Sequence, residues 1–382
     1  MTLCVLEVPP EGLDPAQLAA RLADLGTPAG DTTDADVARA TRRRELAEHG
    51  PHLTVQIATR DRPVPLRRCL DSIAAVDYRA FDIVVIDNAP ATDDSRAVVR
   101  AFELAHPDLA VRYLREPVPG AARAHNRGLE VAEGDWLVRT DDDVAVDAQW
   151  LAAIADAATS APNIGCVTGL ILPAEIDTPA QELLEQFGGY ARGFTRRQVD
   201  MGAHRPNDPL FPFTTGRLGS GANIAFETEG LRARGGFDPA LGPGTPAKGG
   251  EDLLALFDVL IGGAGVVYEP TALLWHWNRR DYASLQRLMH DYGVGLSAYL
   301  TAAALREPRL AMRMARNAAR GVRHVVGRSS PKNSAKERDY PRELERRELR
   351  GMITGPAAYM AGRLGRPDRP VVAQASRSRE VA

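Results

Sequence analysis

The sequence predicts an α/β fold: a mixed, mostly parallel sheet flanked by helices. Three observations predict it. Short apolar runs alternate with helix-length segments from residue 53 to residue 140, the pattern of strands joined by helical crossovers. The runs end in polar residues, at Thr59, Asp87 and Asp141. Right-handed crossovers bring those ends to one edge, where such sheets bind ligands. Of 382 residues, 44% are hydrophobic and 25% charged, which suits a globular chain with ample core.

Residues 1–50 read as an N-terminal appendage with no assigned chemistry. Within it, Leu3 to Leu6 is a candidate strand, Asp14 to Leu25 a candidate helix, and Gly26 to Asp34 a turn-rich break. Leu53 to Ala58 is a strand, Thr59 to Pro63 a loop, and Pro65 starts a helix through Leu70 and Ile73. Phe81 to Ile86 is a buried strand ending at Asp87-Asn88, and a helix follows from Asp94 to about Ala105. Val111 to Leu114 is the third strand, Ala121 to Ala132 a helix, and Trp136 to Thr140 the fourth strand. These elements make residues 51–150 the first half of the sheet.

Beyond Trp150 the alternation loosens. Ile164 to Leu172 and Ala222 to Phe226 are strands, while residues 173–220 show no period and are assigned to acceptor-binding loops. Leu241 to Gly250, rich in Gly and Pro, is a candidate lid. Glu251 to Ile261 is a helix and Gly265 to Tyr268 a strand, which closes an acceptor half at 151–280. Residues 281–364 form a helical, basic extension: 281–326 read as helix, and Lys332 to Arg350 as a strongly charged helix. Residues 365–382 read as disordered.

Asp141, Asp142 and Asp143 follow the apolar run from Trp136 to Thr140. Strand side chains alternate faces, so Asp141 and Asp143 point one way and Asp142 the other. Adjacent like charges cost about 1 kcal/mol at ~4 Å in water, and about 4 at an effective dielectric near 20. A divalent cation converts that cost into a gain, and Mg2+ and Mn2+ both prefer oxygen ligands. On these three residues alone, a solvated acidic turn is the competing explanation.

Charge is uneven. Residues 301–382 hold 19 Lys and Arg against 8 Asp and Glu, and the remainder holds 28 against 42, for a net charge of -3. An acidic body argues against a nucleic-acid partner. Cys4, Cys69 and Cys166 are odd in number and lack metal spacing, which fits structural thiols in a reducing, cytoplasmic compartment. No leader peptide and no membrane-spanning helix are expected. A phosphate loop of the Gly-x-x-x-x-Gly-Lys type is missing, as is a Gly-x-Gly-x-x-Gly turn, so NAD(P) binding is not expected.

Six motifs in order resemble the inverting family 2 glycosyltransferases of the GT-A fold. They are Ile57-Ala-Thr-Arg-Asp-Arg-Pro63, Val85-Ile-Asp-Asn-Ala-Pro90 and Gly120-Ala-Ala-Arg-Ala-His-Asn-Arg-Gly-Leu129. Thr140-Asp-Asp-Asp-Val144, Gly235-Gly-Phe-Asp238 and Gly249-Gly-Glu-Asp-Leu253 complete the set. The resemblance covers roughly residues 51–280 and implies a Rossmann-like GT-A core between the appendage and the helical extension. It also implies roles. Asp87 accepts from the ring N–H of a uracil-like base, Thr59 and Arg60 frame the nucleotide, and Arg123, Asn126 and Arg127 reach the base and diphosphate. Asp143 ligates a divalent metal, Asp141 holds the ribose or a metal-bound water, and Asp142 has the weakest case. His276 is the third ligand, better suited to Mn2+ than to Mg2+. Asp252, beside Glu251, is the base of a single in-line displacement.

Each role has a structural competitor. Arg60 can pair with Asp61, residues 123, 126 and 127 can form a solvated helix face, and His276 can be a packed histidine between Trp275 and Trp277. Acids at 251 and 252 also suit a helix N-terminus. The implied donor is a nucleotide sugar, UDP-linked before GDP- or dTDP-linked, and the acceptor is a hydroxyl. The Gln-x-x-Arg-Trp element of processive synthases is missing, so one sugar per encounter is expected. Two rival readings are a sugar-nucleotide nucleotidyltransferase, whose Gly-rich loop is missing here, and a catalytically silent relative that binds sugars or a partner. Arg309, Arg313, Arg316, Arg320 and Arg323 fall at helical spacing, which suits peripheral contact with an anionic membrane or a solvated face.

Overall fold

The computed structural model describes residues 34–316, 336–337 and 339–365. The strand and helix expected before residue 33, part of the basic region and the tail after residue 365 lie outside the described residues.

The first half follows the alternation. Its elements are α1 (Asp34–His49), β1 (Leu53–Thr59), α2 (Pro63–Ala74), β2 (Phe81–Asn88), α3 (Asp94–Ala105), β3 (Val111–Glu116), α4 (Ala121–Val131) and β4 (Trp136–Asp141). All eight residues of β2 are buried, as befits a parallel strand covered on both faces. Strands β3, β2, β1 and β4 lie side by side in parallel. The helix α1, unforeseen in the appendage, is tied down where Arg42 and Arg43 both bond Asp156.

The second half is β5 (Val144–Val146), α5 (Trp150–Ala158), β6 (Ile164–Pro173), α6 (Pro179–Phe187), β7 (Arg197–Val199), β8 (Asn223–Glu227), α7 (Thr228–Ala233), α8 (Glu251–Ile261) and β9 (Gly265–His276). The sheet order is β3-β2-β1-β4-β8-β6-β9-β5, with β7 also on β9. β8 runs antiparallel to β4 and β6, and β6 runs parallel to β9. The segment read as loops therefore contains α6 and β7. α6 carries a full capping box, with Thr178 and Gln181 satisfying each other's backbone.

Leu241 to Gly250 is folded down. Leu241 and Ala247 are fully buried, and the Ala121 N–H donates to the Pro243 carbonyl at 2.9 Å. The segment is thus packed against its neighbours at these points. Gly250 has φ +91°, and a Cβ there would sit 2.7 Å from the Gly295 carbonyl oxygen.

The C-terminal helices are α9 (Tyr282–Arg306), α10 (Pro308–Arg316) and α11 (Arg342–Leu364). Helix α9 stops before Pro308, because proline disfavours helical backbone in the residue ahead of it. The charged helix expected at Lys332 to Arg350 instead begins after Pro341 and runs on to Leu364. Charge was a poor guide there, since Gly351 to Gly362 carries none. Helices α9 and α11 run in parallel: Gln286 bonds Glu343, and further along a Cβ on Gly355 would meet Ser297. A Cβ on Gly293 or Gly351 would strike the facing backbone, at Glu348 and His290. One core cluster joins Phe213, Leu241, Leu254 and Phe257 to Ala298, Tyr299, Ala302 and Tyr359. Among the described residues no helix is long and apolar enough to cross a membrane.

Candidate active site

Strand register builds the site. Thr59 of β1 lies opposite Asp87 of β2, and Ala58 lies opposite Asp141 of β4. Asp87 and Asp141 thus flank β1, about 10 Å apart at the usual strand spacing. The turn from β4 to β5 holds Asp142 and Asp143, and β5 pairs Val144 with His276 at the end of β9. That pairing sets His276 beside the acids.

Asp141, Asp143 and His276 offer three ligand atoms within 4.8 Å of one another. His276 Nε2 lies 3.3 Å from Asp143 Oδ1. Nδ1 is 2.9 Å from Asn278 Oδ1, which sets the tautomer that leaves Nε2 for a cation. Burial opposes charge on His276, but the Asp143 carboxylate outweighs it and raises the imidazole above its ordinary value. Burial also opposes charge on Asp143, yet bonds from His276 and Arg62 hold its carboxyl well below the usual range. Burial raises Asp141, against the pull of Arg139. Two carboxylates and one imidazole fit Mn2+, and Mg2+ less well.

Asp142 points the other way. It is buried and accepts from Thr59 Oγ at 2.6 Å and from Arg62 Nη1 at 2.6 Å. Burial pushes its carboxyl up to about 7, against Arg62 and Thr59. Arg62 Nη2 also donates to Asp143 Oδ2 at 2.8 Å. The Thr59 hydroxyl latches Asp142, and Arg62, which the sequence did not single out, reaches the cluster. Arg60 is exposed with Asp61 at 3.7 Å. Only the tertiary fold reveals Arg62, because Arg60 and Arg62 look alike in a loop sequence.

Asp87 is fully buried. Its Oδ2 accepts from Tyr113 at 2.8 Å, and its Oδ1 has no partner in the structure. Burial raises its carboxyl despite the Tyr113 bond.

Helix α4 divides the three residues read as one face. Arg123 is half-buried in the first turn. Asn126 is instead a brace, giving 2.7 Å to the Phe237 carbonyl and taking 2.8 Å from its N–H. Arg127 is exposed and pairs with Glu130. The helix face was inferred from spacing, and spacing does not say which neighbour arrives from elsewhere.

Glu251 and Asp252 open α8 and part ways. Glu251 turns inward, where Arg139 Nη2 donates to it at 2.9 Å with both side chains buried. Burial raises Glu251, and Arg139 opposes that. Asp252 is half-buried and accepts from the Gly221 N–H at 2.8 Å and the Leu253 N–H at 2.8 Å. Next to Gly221, the Ala222 carbonyl accepts from Thr140, the residue before Asp141. Asp252 is thereby an electrostatic neighbour of Asp141. Tyr190 faces the His276 ring at 5.2 Å and shares a 2.5 Å hydrogen bond with Tyr292 of α9.

The fold is of the GT-A class, a mixed, mostly parallel sheet flanked by helices. Residues 54–209 match the family described as Glycosyl transferase family 2. That match covers 156 of the chain's 382 residues. It is similar to the "Pre-mycofactocin glycosyltransferase" of Mycobacterium tuberculosis, 28% identical over 262 residues, 65% of this chain and 49% of that protein. A "PGL/p-HBAD biosynthesis glycosyltransferase" of Mycobacterium bovis is 32% identical over 108 residues, 28% of this chain and 41% of that protein. The chain thus spans about half the length, or less, of these curated relatives. Among solved structures, the mannosyltransferase PcManGT from Pyrobaculum calidifontis, in complex with GDP-Man and Mn2+, superposes with a TM-score of 0.54 at 20% identity. That alignment covers 88% of this chain and 97% of PcManGT, and it shows a shared fold.

Proposed function

We propose that this chain transfers one sugar from a nucleotide-sugar donor to an acceptor hydroxyl, with inversion at the anomeric carbon. The partition of the two α8 acids carries the reading. Glu251 is spent on Arg139, while Asp252 stands beside the Asp141, Asp143 and His276 group. Asp87, with one buried oxygen lacking a protein partner, accepts from the ring N–H of the donor base. A UDP-sugar is favoured, and GDP- and dTDP-sugars fall within the same reading.

Asp141, Asp143 and His276 would hold a divalent ion, Mn2+ before Mg2+. Such an ion supplies positive charge for a departing diphosphate. The Gly221 and Leu253 N–H groups orient the Asp252 carboxylate. Asp252 takes the proton of the attacking hydroxyl as the new C–O bond forms. One displacement from the face opposite the leaving group inverts the centre. Two buried free thiols, Cys69 and Cys166, support a cytoplasmic location.

The test is a thermal-shift panel of UDP-, GDP- and dTDP-sugars with and without Mn2+, followed by NMR of the product linkage. The expected result is one donor class that stabilises the protein only with Mn2+, and an inverted product. A product with retained configuration, or stabilisation indifferent to metal, overturns the reading.

A further inference from the structure

The second half of α11 is apolar on both sides. Its inner side is the glycine seam against α9. Its outer side exposes Ile353 at 79%, Met360 at 43% and Leu364 at 84%. Offsets of seven and four residues place these three on one stripe, about 16 Å long. A soluble helix normally turns a polar face outward, yet no charge occurs from Gly351 to Gly362.

The parallel course of α9 and α11 brings their last turns together. Leu305, Arg306, Tyr359 and Arg363 line one cleft of about 320 Å³ there. Leu305 is itself 52% exposed, Arg363 of the same cleft is exposed, and so is Arg309 at the start of α10. Asp238, which lines this cleft, and Asp258 both bond to Arg306.

We propose that this stripe and its arginine rim form a docking surface for an anionic lipid bilayer. The helix lies flat, with Ile353, Met360 and Leu364 among the acyl chains and Arg309 and Arg363 at the headgroups. Charge decides the occupant. Two copies of the chain meeting through this face would set arginines against arginines. An anionic bilayer satisfies the apolar stripe and the cations at once.

The inference is independent of the transfer reaction. The full chain is sedimented with vesicles of phosphatidylcholine alone, and of phosphatidylcholine and phosphatidylglycerol in equal parts. Binding is expected only to the anionic vesicles, and it weakens with added salt. Ile353→Glu with Leu364→Glu should weaken it at least about tenfold, and Arg363→Glu by about tenfold or more. These side chains are exposed, and circular dichroism verifies that the variants fold. Equal binding to both vesicles, binding to neither, or variants that bind like the parent overturn the proposal. So does a dimer on size exclusion that Ile353→Glu dissolves, which would assign the face to a second copy.

Discussion

Asp252 and Asp143 can be separated by what each loses. Asp252→Asn keeps the size and the Gly221 contact, so nucleoside diphosphate affinity with Mn2+ should stay within about twofold while transfer falls roughly 10²–10⁴-fold. Unchanged turnover would remove Asp252 as the base. Asp143→Ala should abolish the Mn2+-dependent part of nucleoside diphosphate affinity, and calorimetry that finds that part intact would remove it as a ligand. His125 offers a pH test apart from the cleft. Burial and Arg139 push its imidazole well below 6.5, so it stays neutral in the fold. Its contribution is present above the unfolded value and is lost as pH falls below about 6.5, by at most about 1.4 kcal/mol per unit. His125→Gln should flatten that loss, and urea titrations from neutral pH to about pH 5.5 giving equal slopes for both proteins would refute it. At this scale the division of Asp142 from Asp141 and Asp143 was legible, although the structure sets Asp142 and Asp143 in the turn after the strand. Arg62 and Arg139 were not, since their partners arrive from 80 and 112 residues away through folding.

Elements with strong local signals were read closely. The bounds of α3 and α8 coincide with the reading, and β1, β2 and β4 differ by a residue or two at their ends. Apolar runs and amphipathic spacing suffice for such elements. The three-residue strands β5 and β7 carry too few residues for any period, and both exist because β9 offers an edge. The glycine seam was equally opaque, since Gly293, Gly351 and Gly355 lower helix propensity and repay it only against a partner. Gly293→Ala should push a methyl into the Glu348 carbonyl and destabilise the fold by about 1–3 kcal/mol. A urea midpoint equal to the parent's would show that the seam yields freely.

The whole chain does not divide cleanly at residue 280. Tyr299 and Tyr359 share a core with Leu254 and Phe257 of the base-bearing helix, and Gly295 sits where a Cβ would be 3.0 Å from the Gly249 Cα. A chain ending at Asp281 should therefore show no cooperative thermal transition. A sharp transition near the parent's would establish the shorter unit as self-sufficient. The basic extension reads as separate in sequence because composition changes there, whereas packing, which composition does not record, joins it to the centre. The parallel setting of α9 and α11 has one more consequence. Antiparallel neighbours cancel their macrodipoles; these two add, and together leave about one unit of negative charge at their shared carbonyl end. Arg306 and Arg363, in the two last turns, offset that pole, as cations near a helix C-terminus do.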